Sequence, residues 1–450
     1  MLYEAERGDL DLIAVGDALI SRPARAYREQ GYLELVRLLR SGDVTFANLE
    51  MLFHRWEHPP AQEAGGTYMG ADPAILEDLA WMGIQLVSCA NNHAGDYGPE
   101  GLMASLEAVR RAGLVPAGAG PNLAMARAPA YLETRRGRVA LLACTSTGPQ
   151  ALRAGAQRPD LPGRPGVSYL GHRVTYVVDR PTLDALRRAS KALGLEALKG
   201  WRRRFGFYGP QPEDTEEVFH FLGHRFALGE GFRVETEPDP ADLEDILRWV
   251  RDARRMADWV LVSIHCHEVE PADPYEPARE RVPAFLRTFA HRCIDDGADA
   301  VLGHGPHLVR GVEVYRGRPI LYSLGNFFFQ NETVLWQPAE SYARFGLGPE
   351  HTPADFYDAR SACGERGFPP DPVYWESVVA RIRFQGGRLE EVRLYPIDLG
   401  FGRPRSQRGR PVLAGPEVGR RVLERIARLS EDLGTPVRLE GGTAVVRPEG

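Results

Sequence analysis

No run in the chain approaches the roughly 18 consecutive apolar residues that a bilayer-spanning helix requires, so the sequence argues against a membrane-spanning helix. A basic leader is lacking too. Acidic residues precede the first short apolar run, which predicts no secretory signal and a cytoplasmic location. Cysteine is scarce, with five in 450 residues (Cys89, Cys144, Cys266, Cys293 and Cys363), and no pair has Cys-x-x-Cys spacing. That excludes a disulfide framework. Excess positive charge is missing: 55 basic against 61 acidic residues leave a formal charge of −6 and no electrostatic case for binding nucleic acid. The one basic cluster, Arg202 to Arg204 beside Trp201, is read as a solvated face or an anion contact. Ser323 sits in no Gly-x-Ser-x-Gly elbow, so a serine hydrolase is excluded. Repeats and long low-complexity segments are absent.

What the chain has instead is a series of short apolar runs that stop at metal-binding side chains. Leu10 to Gly16 leads into Asp17, Val44 to Leu49 into Glu50, and Gln85 to Ala90 into Asn91, Asn92, His93 and Asp96. Trp259 to Ile264 leads into His265, His267 and Glu268, and a fifth short run ends in a Gly/Pro-rich turn that carries His304 and His307. Runs of this length read as buried strands. In open α/β sheets ligands bind beyond the carboxyl ends of strands, so these five ends are expected to converge.

Each residue type has a chemical reason to be there. Carboxylates such as Asp17 and Glu50 can bridge two cations, the Asn92 amide adds a neutral oxygen, and imidazoles favour transition metals over magnesium or calcium. The set predicts one or two divalent ions: manganese, zinc or iron. Two such ions about 3.5–4 Å apart can clamp the attacking and leaving oxygens of a hydrolytic displacement and supply hydroxide at neutral pH. His93, beside Asn92, can protonate a leaving group without ligating.

Six motifs in order carry a family resemblance: GD at Gly16 and Asp17, NLE at Asn48 to Glu50, ANNHAGDYG at Ala90 to Gly98, SIHCHE at Ser263 to Glu268, GHGPH at Gly303 to His307, and YSLGNF at Tyr322 to Phe327. They resemble the CapA family, named for bacterial poly-γ-glutamate capsule synthesis and similar in fold to the calcineurin-like metallophosphoesterases. The resemblance covers about residues 8 to 150 and 240 to 400. It implies a four-layer α/β/β/α metallophosphoesterase-like sandwich with insertions and with metals at one edge. It implies Asp17, Glu50, Asn92, His265, His304 and His307 as metal ligands, Glu50 bridging, and His93 as a catalytic group oriented by Asp96. His267, Glu268, Asn91, Arg310 and Asn326 are expected as auxiliary or substrate-binding groups. Two features differ from the metallophosphoesterase pattern. Asp17 is followed by Ala18 and Leu19, so the histidine of an Asp-x-His motif is missing, and one extra residue separates His304 from His307, which is itself a feature of the CapA family.

The implied function is a metal-dependent hydrolase that attacks a phosphoester of an anionic small molecule or polymer through metal-bound hydroxide. A γ-glutamyl amide hydrolase or ligase would need the same centre, and a non-catalytic accessory of polymer biosynthesis is the third reading. Alternating strand-like and helix-like segments predict a sheet covered by helices. Residues 8–147 and 241–400 are expected as two halves of one domain, with 148–240 an insertion and 330–374 a substrate loop. Hairpins at 312–324 and 378–395 are expected to build a second sheet. Residues 401–450 are expected as a C-terminal helix with a short β extension, serving packing or homo-oligomerisation.

Overall fold

Alternation along the strands sets the layers. In two neighbouring strands, Val139, Leu141, Ala143, Trp259 and Leu261 belong to one buried cluster, while Ala140, Leu142, Cys144, Val260, Val262 and Ile264 belong to a second. Successive strand residues point to opposite faces, so this sheet is covered on both sides. One face packs on another sheet, and the other on helices Pro240–Met256 and Ala284–Asp295, which contribute Leu247, Val250, Phe285 and Phe289. Beyond the other sheet lie helices that include Gln30–Leu39 and Gly98–Arg111, with Tyr32, Leu35 and Leu106 in the shared core. Helix, sheet, sheet and helix make the four-layer α/β/β/α sandwich that the resemblance implies.

The computed structural model describes residues 8–209, 212–270 and 275–448. Nine strands position the site, in chain order: β1 (Leu10–Leu19), β2 (Val44–Asn48), β3 (Leu86–Ser88), β4 (Gly137–Thr145), β5 (Trp259–His265), β6 (Ala300–His304), β7 (Asn326–Phe329), β8 (Glu376–Gln385) and β9 (Arg388–Asp398). A ten-stranded sheet contains the run β9-β8-β1-β2-β3, with β7 also paired to β1. A six-stranded sheet has β6-β5-β4 at its centre. The site strands β1, β2, β3 and β7 pair in parallel, as do β4, β5 and β6. Parallel strands end on one edge of the sandwich, which brings the side chains that follow them together.

β4 lies beside β5 at the centre of the six-stranded sheet. Two expectations need correction. The hairpin at 312–321 joins that sheet as expected, but β8 and β9 join the ten-stranded one, with β8 antiparallel to β1. Alternation shows which residues are buried and not which strand lies alongside. Segment 330–374 is not a bare loop: it folds into helices Ala339–Ala343 and Pro353–Ser361, the second opened by a capping box between Thr352 and Asp355. His54 is 1 % exposed and packs edge-on to Tyr97 at 4.2 Å.

Residues 172–238 form a four-stranded sheet of their own with two helices, α1 (Arg180–Ala192) and α2 (Leu195–Phe205). Asp179 caps α1 by accepting from the Thr182 N–H. The core here is small, centred on Val178, Leu183 and Phe219. All five cysteines are free, four of them buried. Among the described residues no helix is long and apolar enough to cross a membrane.

Candidate metal centre

Strand register places the chemistry. In the parallel β5–β6 ladder His265 lies directly opposite His304, and on β1 Asp17 lies opposite Asn48 of β2 on one side and Asn326 of β7 on the other. Glu50 follows β2 by two residues, and Asn91 ties that turn down by donating to the Leu49 carbonyl at 2.7 Å. The resulting cluster is dry: Asp17, Glu50, His265 and His304 have no exposed side-chain surface.

Three overlapping groups of ligand atoms converge: Asp17 with His265 and His304; Glu50 with His265 and His267; and Asp17 with Glu50 and His307. Asp17 Oδ1 lies 3.4 Å from His304 Nδ1, and Asp17 Oδ2 3.5 Å from His307 Nδ1. Nε2 of His265 is 2.8 Å from Asn92 Oδ1 and 2.8 Å from His267 Nε2, and its Nδ1 is 3.0 Å from His304 Nδ1. Ligand atoms about 3 Å apart span the edges of a polyhedron whose metal bonds are near 2.1 Å.

Glu50 is the strongest test of whether cations fit. Its oxygens are buried and neither has a hydrogen-bond partner among the described residues, while ring nitrogens of His265, His267 and His307 stand 3.6, 3.7 and 3.6 Å away. A buried anion without partners costs several kcal/mol, on the order of what a bound cation returns. The donor set fits the implied ions.

Protonation follows the same geometry. Burial, then the charge of Asp17, pushes the Glu50 carboxyl well above its usual range. Burial alone would raise Asp17 as well, but the imidazoles of His304 and His307 outweigh it and hold that carboxyl well below. Burial followed by neighbouring imidazoles lowers His265 and His267, which keeps both neutral and able to ligate near pH 7.

Supporting residues fix which atoms face inward. Asn326 donates from Nδ2 to the carbonyls of His307 and Tyr374, so its Oδ1 accepts from His307 Nδ1 at 2.9 Å, and His307 presents Nε2 towards Glu50. His307 takes a left-handed φ of 61°, a cost of about 1–2 kcal/mol for a residue with a Cβ, which these bonds help to hold. Asn92 donates Nδ2 to Gly65 O at 3.0 Å, which turns Oδ1 to the centre. Ser263 Oγ bonds His304 Nε2 at 2.7 Å and leaves Nδ1 facing Asp17, while Asn48 donates to Asp17 Oδ1 at 2.8 Å.

Sequence reasoning misses Ser263 and Asn48 as functional residues, although both lie inside the quoted motifs. Each stands two residues before a ligand, the spacing that shares a strand face. Ser263→Ala is expected to lower metal affinity about 10- to 100-fold with the fold intact. Calorimetric titration reads this, and an unchanged affinity would remove Ser263 from the support of His304.

The other expected residues divide. His93 Nδ1 bonds Asp96 Oδ2 at 2.8 Å, and Asp96 also accepts from the Gly65 and Met69 N–H groups. His267, 29 % exposed, joins the convergent nitrogens instead of standing aside. Glu268 turns away to accept from Ser146 and Thr147 at 2.7 and 2.9 Å, and the Asn91 amide is spent on the backbone and on Asn48. Arg310 is buried and donates to the Glu268 carbonyl at 2.7 Å, with Nη1 left unbonded among the described residues.

Comparison with known proteins bears out the family resemblance. The family profile described as bacterial capsule synthesis protein PGA_cap matches residues 11–331. The chain belongs to this family. It is 37 % identical over 454 residues to the uncharacterized protein y4sH of Sinorhizobium fredii, covering 97 % of this chain and 92 % of that one. It is 32 % identical over 152 residues to the PGA biosynthesis protein CapA of Bacillus subtilis, covering 31 % and 37 % of the two chains. A solved structure of a hypothetical protein from Thermus thermophilus covers 86 % of this PGA_cap chain and 99 % of its own at 15 % identity, with a TM-score of 0.38.

Proposed function

We propose that the protein is a metal-dependent hydrolase of phosphoesters, acting on an anionic small molecule or polymer in the capsule-synthesis setting its family's description names. The observation that carries this reading is Glu50, a wholly buried carboxylate without hydrogen bonds, ringed by imidazole nitrogens. Asp17, Glu50, Asn92, His265, His304 and His307, joined by His267, would hold one or two ions. Their mix of carboxylate, amide and imidazole suits manganese, zinc or iron. Ions bound there acidify water and neutralise charge on a phosphoryl oxygen.

The chain's own groups do the remaining work. Asp96 holds Nδ1 of His93, so Nε2 is the atom that passes a proton to the leaving oxygen. Arg310, buried and with Nη1 unbonded among the described residues, would be the group that meets a substrate oxyanion. A cavity of about 510 Å³, shared by Asn92 and Gly95 with Pro149, Leu152 and Arg164, can take the body of the substrate.

Protein stripped by chelation and reconstituted with manganese or zinc is expected to cleave p-nitrophenyl phosphomonoesters or diesters. Stoichiometric metal with no such turnover would overturn the reading, and cleavage of γ-glutamyl amides alone would move the reaction to amides. His93→Ala is expected to lower kcat about 10²- to 10⁴-fold on alkyl phosphoesters, whose leaving oxygen needs a proton, and far less on p-nitrophenyl esters. Equal losses on both would take His93 out of that role.

A further inference from the structure

One face of the protein is used neither by the metal centre nor by any core. On α2, Leu198, Trp201 and Phe205 recur at i, i+3 and i+7, which aligns them in one stripe, and they are 41, 41 and 53 % exposed. No residue of α2 is buried. The stripe runs on past the helix into Phe207, 85 % exposed, with the Trp201–Phe205 and Phe205–Phe207 ring pairs each 5.1 Å apart. At 100° per residue, Arg202 flanks the stripe on one side and Arg204 on the other. The opposite side of α2 is the one that meets the body, where Lys199 bonds Asp214 and the His220 carbonyl at 3.0 and 2.6 Å.

Charge is concentrated here as well. Between Arg180 and Tyr208 stand eight lysines and arginines against two acidic residues, in a chain whose net charge is −6. Arg202 lies 5.3 Å over the Tyr208 ring, and neither it nor Arg204 has a carboxylate partner among the described residues.

We propose that α2 docks on an anionic lipid surface, lying in the interface plane with Trp201, Phe205 and Phe207 among the headgroups and upper acyl chains and Arg202 and Arg204 on the phosphates. Two other occupants fit this surface less well. A soluble polyanion satisfies the arginines but leaves Leu198, Phe205 and Phe207 in water. A second copy of the chain covers the rings but brings two strongly basic segments together. An anionic bilayer accommodates both halves of the helix surface at once. The proposal does not depend on the hydrolase reading.

The test is sedimentation of the full chain with vesicles of phosphatidylcholine alone and with roughly a quarter phosphatidylglycerol. Binding is expected to the anionic vesicles only and to weaken with salt. The pairs Trp201→Ser with Phe205→Ser, and Arg202→Glu with Arg204→Glu, are each expected to weaken it about tenfold or more. Both pairs are exposed and remote from the metal-ligand motifs in sequence, so the thermal midpoint checks that they fold. Equal binding to both vesicle types, or binding that survives loss of the aromatic pair, would overturn the proposal. So would a dimer in analytical ultracentrifugation that disappears with Phe205→Ser.

Discussion

Glu50→Gln is expected to make the metal-free protein more stable while lowering metal-dependent turnover by at least about 10³-fold. The second effect follows if cations supply some 4 kcal/mol of transition-state stabilisation through this centre, at 1.36 kcal/mol per tenfold. The first follows because a carboxyl that burial and Asp17 force to keep its proton, or else to stand as an unpartnered anion, is exchanged for a permanently neutral group of the same shape, a gain of roughly 1–3 kcal/mol. The pH dependence has a definite sign. Glu50 is pushed up from the ordinary value of 4.5 by burial and then by Asp17, so above that pH the unfolded chain has lost a proton that the folded, metal-free protein still holds. The folded state binds more protons, and stability falls as pH rises until the folded carboxyl also ionises. The glutamine variant lacks this loss, so its advantage in thermal midpoint, measured with chelator present, should widen from about pH 4.5 upward. A wild-type protein as stable as the variant at pH 8, or a variant that still gains stability from added metal as the wild type does, would show that Glu50 is not an orphaned ligand.

Gly16→Ala is expected to cost at least about 3 kcal/mol, near the upper end for an added methyl in a packed interior. A Cβ at Gly16 would stand 1.8 Å from the Gly325 carbonyl oxygen and 2.8 Å from its carbon. The obstacle is backbone and cannot rotate aside, because that same oxygen accepts the Asp17 N–H at 3.0 Å. Making room means parting β1 from β7, and with them Asp17 from Asn326. Urea unfolding should therefore show a lower midpoint and metal titration a weaker site. A variant within about 1 kcal/mol of wild type that binds metal equally well would mean the two strands are not held as close as described.

These two residues also explain how much is legible in the sequence. An apolar run that stops at Asp17, Glu50, Asn92, His265 or His304 marks both a strand and a ligand position, since burial and the open sheet edge are local signals. The Gly-Asp pair is legible as a motif, but its reason is not, because the oxygen that forbids a Cβ comes from residue 325. Sheet partners are hidden for the same cause: β4 and β8 both read as largely buried strands, and only long-range packing sends them to different sheets. The family pattern sets His267 aside, although two-residue spacing from His265 already puts it on the same strand face. The capping box at Thr352 and Asp355 is a local signal that announces the helix inside the expected substrate loop.

The ladder register at the centre also bears on how such a protein can change over generations. Asp17 faces Asn48 and Asn326, and His265 faces His304, each at a fixed rung. Deleting or inserting one residue within β1, β5 or β6 would turn the ligand that follows to the opposite side of its sheet. Beyond the last rung that constraint lapses. The extra residue between His304 and His307 falls past the end of β6, where length can drift without shifting the ladder. A lineage is thus free to reshape the rim and the segments hung from it, including α1 and α2, while the count of residues inside each site strand stays fixed.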